Sequence, residues 1–118
     1  YGAVFYARRE DGFVLVRTRP PRGLLGGMSE FPGSPWSVDF DMESARDHAP
    51  LPARWRRLAG GVEHVFTHFA LSLAVFRADL RADARTPEGC RWRHEDRLET
   101  DEALPSVMAK VAAHARGA

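Results

Sequence analysis

The sequence is poor in three features that would assign a chain to a large class of proteins at once. It has one cysteine in 118 residues, Cys90, which cannot form an intramolecular disulfide and is too few for a cysteine-based zinc site. It has no apolar run long enough to cross a bilayer, and its opening YGAVFYARRE does not read as a signal peptide. Its net charge is only +1, so composition alone does not indicate a nucleic-acid-binding protein. These shortages predict a non-membrane protein of a reducing compartment, the cytoplasm of a bacterial-type cell.

What the chain does have is enough apolar material for one core and an uneven distribution of charge. Hydrophobic residues make up 44% of it, including seven Phe, three Trp and two Tyr, which indicates a single domain over residues 1–118. Residues 1–27 carry five arginines against Glu10 and Asp11, whereas residues 95–102 carry five acids against Arg97. The basic share borders a glycine-rich segment, which makes that segment a candidate binding loop.

Local patterns predict strands interrupted by one short helix and closed by a second helix. The turn signal Glu10-Asp11-Gly12 between two Val- and Phe-rich segments predicts a β-hairpin. The predicted strands are Ala3–Arg8, Phe13–Arg19, Trp55–Ala59, Val62–Phe66, Phe69–Arg77 and Cys90–Arg93, and the predicted helices are Asp39–His48 and Pro105–Ala115. Both faces of Phe69–Arg77 are largely apolar, so this strand should be central. The fold class is therefore α+β, with a sheet covered by helices, including a C-terminal one.

The segment from Arg19 to Trp36, RPPRGLLGGMSEFPGSPW, is the most unusual part of the chain. Its four glycines and four prolines exclude a helix or a central strand and predict a shaped loop with a short extended piece at Met28–Phe31. Two interpretations remain open from composition, the entrance to a phosphate-binding site or a structural linker between strands.

The order of hairpin, glycine-rich loop with EFPG at Glu30–Gly33, short helix and central strand resembles the Nudix fold, a mixed sheet between helices. The family's signature supplies a pair of glutamates that hold Mg²⁺ on a diphosphate. Asp39 matches the first acidic position, but Pro50 to Pro52 occupy the place of the glutamate pair, and proline there would end the helix that presents them. The chain is therefore expected to lack catalytic and metal-binding residues. A degenerate Nudix nucleotide pyrophosphohydrolase remains the alternative.

A more specific resemblance covers nearly all of the chain. The loop motif, the triplet Phe66-Thr67-His68 at the start of a strand and the closing ALPSVMAKV resemble the C-terminal domain of A/G-specific adenine DNA glycosylases of the MutY type. The resemblance implies a noncatalytic Nudix-like domain, excised from a longer glycosylase, that reads 8-oxoguanine opposite adenine in base-excision repair. A protein-interaction module is a further alternative.

The resemblance also implies which residues touch the lesion. 8-Oxoguanine carries a hydrogen on N7, so a reader needs an acceptor there, and Thr67 supplies a hydroxyl at the position of the family's serine. Phe66 either wedges beside a base or belongs to the core, and His68 either donates to a phosphate or supports the loop. Arg19 and Arg22, which border the glycine-rich loop, are candidates for phosphate contacts.

The implied partners are double-stranded DNA containing 8-oxoguanine:adenine and a tethered N-terminal glycosylase domain. The resemblance implies no cofactor in this domain. Some family members carry an iron–sulfur cluster in the other domain, which this chain cannot hold with Cys90 alone.

Overall fold

The chain forms one mixed β-sheet with helices on both faces, in a computed structural model that describes residues 1–117. The strands are β1 (Gly2–Arg9), β2 (Phe13–Thr18), β3 (Ser29–Glu30), β4 (Arg56–Arg57), β5 (Val62–Val65), β6 (Ala70–Leu80) and β7 (Cys90–His94). The helices are the 3₁₀ helices Met42–His48 and Glu95–Arg97 and the α-helices α1 (Leu98–Asp101) and α2 (Ser106–Arg116). None of the helices within these 117 residues is long and apolar enough to cross a membrane.

Strand β6 is the centre of the sheet, as its two apolar faces predict. It pairs in parallel with β1, with Gly2 opposite Leu73 and Arg9 opposite Leu80. Its other edge pairs antiparallel with β5 and then with β4. The parallel β1–β6 pair beside otherwise antiparallel ladders makes the sheet mixed.

The β1–β2 hairpin is confirmed, but its strands diverge beyond the turn. They pair at Arg8 and Val14, and further along the segment from Ser29 to Gly33 enters between them. Gly33 forms a bridge with Val4, and a Cβ on Gly33 would lie 2.5 Å from the carbonyl oxygen of Ala3. Only glycine lets the backbones approach this closely, which explains the glycine of the EFPG motif.

Each face of the sheet is covered by a different helix. On one face the apolar side of α2, including Met108 and Val111, packs into the larger core cluster with Val75 of β6. On the other face Ala45 of the first 3₁₀ helix packs with Phe5 and Phe76. The predicted α+β architecture with a covered sheet and a C-terminal helix is confirmed.

Several element boundaries differ from the sequence-based predictions. The segment predicted as a helix from Asp39 is a 3₁₀ helix that begins at Met42, where the Asp41 carboxylate accepts a hydrogen bond from the Glu43 amide (3.1 Å). Strand β6 extends three residues beyond the predicted Arg77. The predicted Trp55–Ala59 strand is reduced to the two residues of β4, and α1 was not predicted at all.

The carboxylate of Glu102 joins α1 to the edge of the sheet. Its side chain is 2% exposed, and it accepts hydrogen bonds from Ser29 Oγ (2.7 Å) and Arg93 Nε (2.8 Å) and forms a salt bridge with Arg91. Burial is the largest single influence on the pKa of Glu102, and it favours the neutral acid. The hydrogen bonds from Arg91, Ser29 and Arg93 together outweigh burial and lower the pKa of Glu102 from 4.5 to about 2.

This carboxylate should make stability depend on pH in the acid range. Because the folded-state pKa lies below the unfolded-state value, its contribution is fully present above pH 4.5 and is lost as the pH falls towards 2. We expect Glu102→Gln to lower the free energy of unfolding by about 2 kcal/mol at neutral pH and to flatten the acid part of the profile. Urea unfolding across this pH range measures both effects. The control Glu99→Gln removes an acid that is 61% exposed, and an equal loss in that variant would contradict the assignment.

Candidate nucleic-acid interface

The predicted lesion triplet lies at the tip of the hairpin that joins β5 to β6. Val65 pairs with Ala70, and the amide of Phe66 donates a hydrogen bond to the carbonyl oxygen of Phe69 (2.8 Å). The loop between them is therefore two residues long, Thr67-His68. Both are exposed, so the predicted probe residues stand at the end of a short hairpin.

Aromatic rings form a base beneath this tip. The rings of Phe66 and Phe69 stack with their centroids 4.8 Å apart, and His64 meets the edge of Phe66 at 4.6 Å. Phe66 is half-buried against the main core, whereas Phe69 is 45% exposed. The structure thus makes Phe66 the support of the tip and presents Phe69 beside it. Sequence reasoning missed Phe69 as a site residue, although an aromatic residue directly after the triplet was the available signal.

The glycine-rich loop lies against this hairpin. A groove of about 290 Å³ separates them, lined by Arg19, Leu24, Trp36 and Phe69 together with Ser34 and Pro35. Leu25 and Met28 of the same loop line a second groove together with Phe66 and His64 of the hairpin. The structure therefore brings the two motifs together, although they are separated by about 30 residues in the sequence.

Arg19 is held inside the fold by three groups. Its Nη1 donates to the carboxylate of Glu30 (2.7 Å), its Nε donates to the carbonyl oxygen of Leu24 (3.0 Å), and its guanidinium lies 4.5 Å from the ring centre of Trp36. The Glu30 carboxylate, 8% exposed, also binds Arg17 at 2.8 Å. Arg19 thus supports the loop and the groove wall, and its contact with phosphate stays a prediction.

Arg22 is exposed at the outer part of the same loop. The loop is closed by a hydrogen bond from the amide of Gly27 to the carbonyl oxygen of Pro20 (3.1 Å). Arg22 therefore projects from a closed loop that borders the groove, and its proposed phosphate contact likewise stays a prediction.

Comparison with known protein families identifies the family to which this fold belongs. A family model described as a NUDIX domain matches residues 3–114. The chain belongs to the Nudix family. Among solved structures, the C-terminal domain of mouse MUTYH in complex with human PCNA superposes with a TM-score of 0.73 at 29% identity, covering 99% of this chain and 87% of that domain. A MutT protein from Methanosarcina mazei Go1 has a TM-score of 0.72 at 17% identity, over 98% of this chain and 91% of that one, and shares the fold.

Curated relatives agree with the more specific resemblance. The human adenine DNA glycosylase is 32% identical over 108 residues, and the mouse enzyme is 36% identical over 111 residues. Each match covers 83% of this chain but only 20% or 21% of the relative, so the chain spans about a fifth of their length. The sequence-based assignment to a Nudix-like domain resembling the C-terminal region of adenine DNA glycosylases is confirmed.

The acidic residues of this Nudix domain do not form the family's metal site. Asp39, Asp41, Glu43 and Asp47 are exposed around the 3₁₀ helix, and Asp41 serves as its N-cap. That helix ends before Pro50, where the sequence lacks the glutamate pair. In residues 1–117 no three His, Cys, Asp or Glu side chains converge closely enough to hold a metal ion. Because Mg²⁺ prefers several carboxylate oxygens, the donor set of this domain does not fit the catalytic ion.

The different surroundings of the two loop arginines predict different effects on stability. We expect Arg19→Gln to lower the free energy of unfolding by about 2 kcal/mol, because it leaves the Glu30 carboxylate with one partner and removes the contact with Trp36. Arg22→Gln, which removes an exposed side chain, should change it by less than about 0.5 kcal/mol. Urea denaturation of both variants is the measurement. Equal effects of the two substitutions would contradict the supporting role of Arg19.

Proposed function

We propose that this domain is the noncatalytic C-terminal part of an adenine DNA glycosylase and that it recognises 8-oxoguanine opposite adenine. The observation that carries the proposal is the two-residue loop Thr67-His68, which presents a hydroxyl at the exposed end of a hairpin braced by stacked rings. The match to human and mouse adenine DNA glycosylases supports the choice of DNA as the ligand.

The chemistry of the lesion suits this loop. 8-Oxoguanine differs from guanine by a hydrogen on N7 and an oxygen at C8, and a threonine hydroxyl can accept the hydrogen bond that N7 now donates. The β-branched side chain of Thr67 has few χ1 rotamers, so its hydroxyl points in a limited set of directions. The exposed ring of Phe69 can lie against an unstacked base, and His68 at the tip can donate to a phosphate.

Removal of adenine would occur in a tethered N-terminal domain, since this chain spans about a fifth of the length of the glycosylases that it matches. Any iron–sulfur cluster would belong to that domain as well, because Cys90 is the only cysteine here. Action on genomic DNA would require a location inside the cell, and the cytoplasm of a bacterial-type cell stays a prediction of the sequence.

The hydroxyl of Thr67 is tested by a matched pair of substitutions in the full-length protein. Thr67→Val keeps the shape and removes the hydroxyl, and it should weaken binding to 8-oxoguanine:adenine duplexes about fivefold while binding to guanine:adenine duplexes is unchanged. Thr67→Ser retains the hydroxyl and should retain discrimination. Equilibrium binding to both duplexes measures this.

The control for that series is Thr100→Val, which removes an exposed hydroxyl from α1 outside the hairpin. Equal losses on both duplexes, or no loss on either, would refute the role of Thr67. A domain that only binds other proteins would likewise show no change with Thr67→Val.

The hydrolase alternative is tested directly. Incubation of the protein with Mg²⁺ and oxidised or ordinary nucleoside triphosphates should release no pyrophosphate above the buffer background, because the carboxylates do not converge. Sustained release by the wild type would contradict the noncatalytic assignment, provided that Asp39→Asn and Glu43→Gln abolish it.

A further inference from the structure

The hairpin tip has few positively charged side chains with which to bind the phosphates of DNA. From residue 62 to residue 70 there is no lysine or arginine, and the only acidic side chain is Glu63. The nearby Lys110 donates its Nζ hydrogen bond to the carbonyl oxygen of Glu63 (3.1 Å) and lies 3.0 Å from Nδ1 of His64. Since phosphate contacts supply most of the affinity of proteins for DNA, the proposed reading of a base requires cations elsewhere on the domain.

Most of the arginines next to the glycine-rich loop are unavailable for this task. Arg17 and Arg19 both bind Glu30, and the more distant Arg8 binds Glu95 through three hydrogen bonds of 3.1–3.2 Å. Of the five arginines in residues 1–27, four form ion pairs within the fold, and Arg22 alone takes part in no salt bridge among the described residues.

Three arginines on one edge of the sheet remain exposed. Arg56 and Arg57 form β4, the last strand in the sheet order, and Arg54 precedes it. All three are exposed, and every salt bridge within residues 1–117 involves other side chains. Arg57 and Glu63 line one groove along this edge, and the Glu63 carboxylate accepts a hydrogen bond from Ser72.

This edge is collinear with the hairpin tip. β4 and β5 follow one another along the same side of β6, with Arg57 opposite Phe76 and Val62 opposite Leu73. The seven residue steps from Phe69, just before β6, to Phe76 span roughly 23 Å at the usual rise of a strand. A duplex rises about 3.4 Å per base pair, so the same length covers roughly seven base pairs.

We propose that Arg54, Arg56 and Arg57, here called the arginine edge, bind the phosphate backbone of a duplex roughly seven base pairs from the base that the hairpin reads. Successive strand residues point to opposite faces, so Arg56 and Arg57 flank the edge and can contact a backbone that runs along it. This inference rests on the proposed function, and it assigns affinity to the edge and discrimination to Thr67.

The matched test compares two double variants of the full-length protein. Arg56→Gln/Arg57→Gln removes two charges from the arginine edge. Arg81→Gln/Arg85→Gln removes two charges from exposed residues beyond the far end of β6. Binding to 8-oxoguanine:adenine and guanine:adenine duplexes is measured by fluorescence anisotropy between about 50 and about 200 mM salt.

The edge variant should bind both duplexes roughly tenfold more weakly, and its slope of log affinity against log salt should be smaller by about 2. Loss on both duplexes is expected because phosphate contacts carry no base information. The control should match the wild type. An unchanged slope and affinity of the edge variant would overturn the inference and would leave the arginines as charges that discourage strand pairing, or as a contact for an acidic protein.

Duplex length gives a second readout. One duplex is shortened to about four base pairs on one side of the lesion, and a second duplex is shortened equally on the other side. The duplex that no longer reaches the arginine edge should bind the wild type as weakly as the long duplex binds the edge variant. If the wild type binds all three duplexes alike, the arginine edge is not a DNA contact.

The outcomes for Thr67 and for the edge are independent. If Thr67→Val loses discrimination while the edge variant binds DNA like the wild type, the proposed function is retained and this inference is discarded. A salt-dependent effect of the edge without any effect of Thr67 would discard the assigned reader and retain the DNA contact.

Discussion

The entry of the Ser29–Gly33 segment between β1 and β2 is the constraint on which the candidate site depends. Two features make it possible: the absence of a side chain at Gly33, which passes the Ala3 carbonyl, and the neutralisation of Glu30 by two arginines. A buried carboxylate without such partners would carry a large desolvation cost. The segment sets Trp36 against the guanidinium of Arg19 and 6.4 Å from the Phe66 ring, so the loop and the hairpin share one aromatic wall.

The elements that were predictable from sequence are those whose signals are local. The turn at Gly12, the two apolar faces of β6 and the helical stripe of α2 each lie within a dozen residues. α1 escaped prediction because its four residues have no apolar periodicity, and it packs into the fold through Leu98 and the ion pairs around it. The α+β class followed from these patterns, whereas the Nudix-like fold and the location of the lesion triplet followed from the resemblance.

The candidate site was predictable only in part, because its geometry depends on contacts between distant residues. Thr67 and His68 were identified as a motif, and the hairpin places them at an exposed tip. The supporting role of Arg19 could not be deduced, since its carboxylate partner is eleven residues away and either could have pointed to solvent. Phe69 acquires its partner ring only through the hydrogen bond that closes the two-residue loop.

The charge asymmetry of the sequence takes on a different meaning in the fold. The acidic stretch from residue 95 to 102 is used to bind arginines of three other elements, β1, β7 and α2. Charge counted along a sequence therefore overstates the charge available to a ligand, and the useful quantity is the number of cations left without an internal partner. In this domain the exposed arginines of β4 meet that criterion, whereas the hairpin that carries Thr67 has no fixed cation.

A contact that binds every duplex equally cannot alter the ratio of affinities for two bases, so discrimination must come from the group that faces the base. Placing phosphate contacts and the base-reading hydroxyl on separate parts of one sheet lets each vary without disturbing the other.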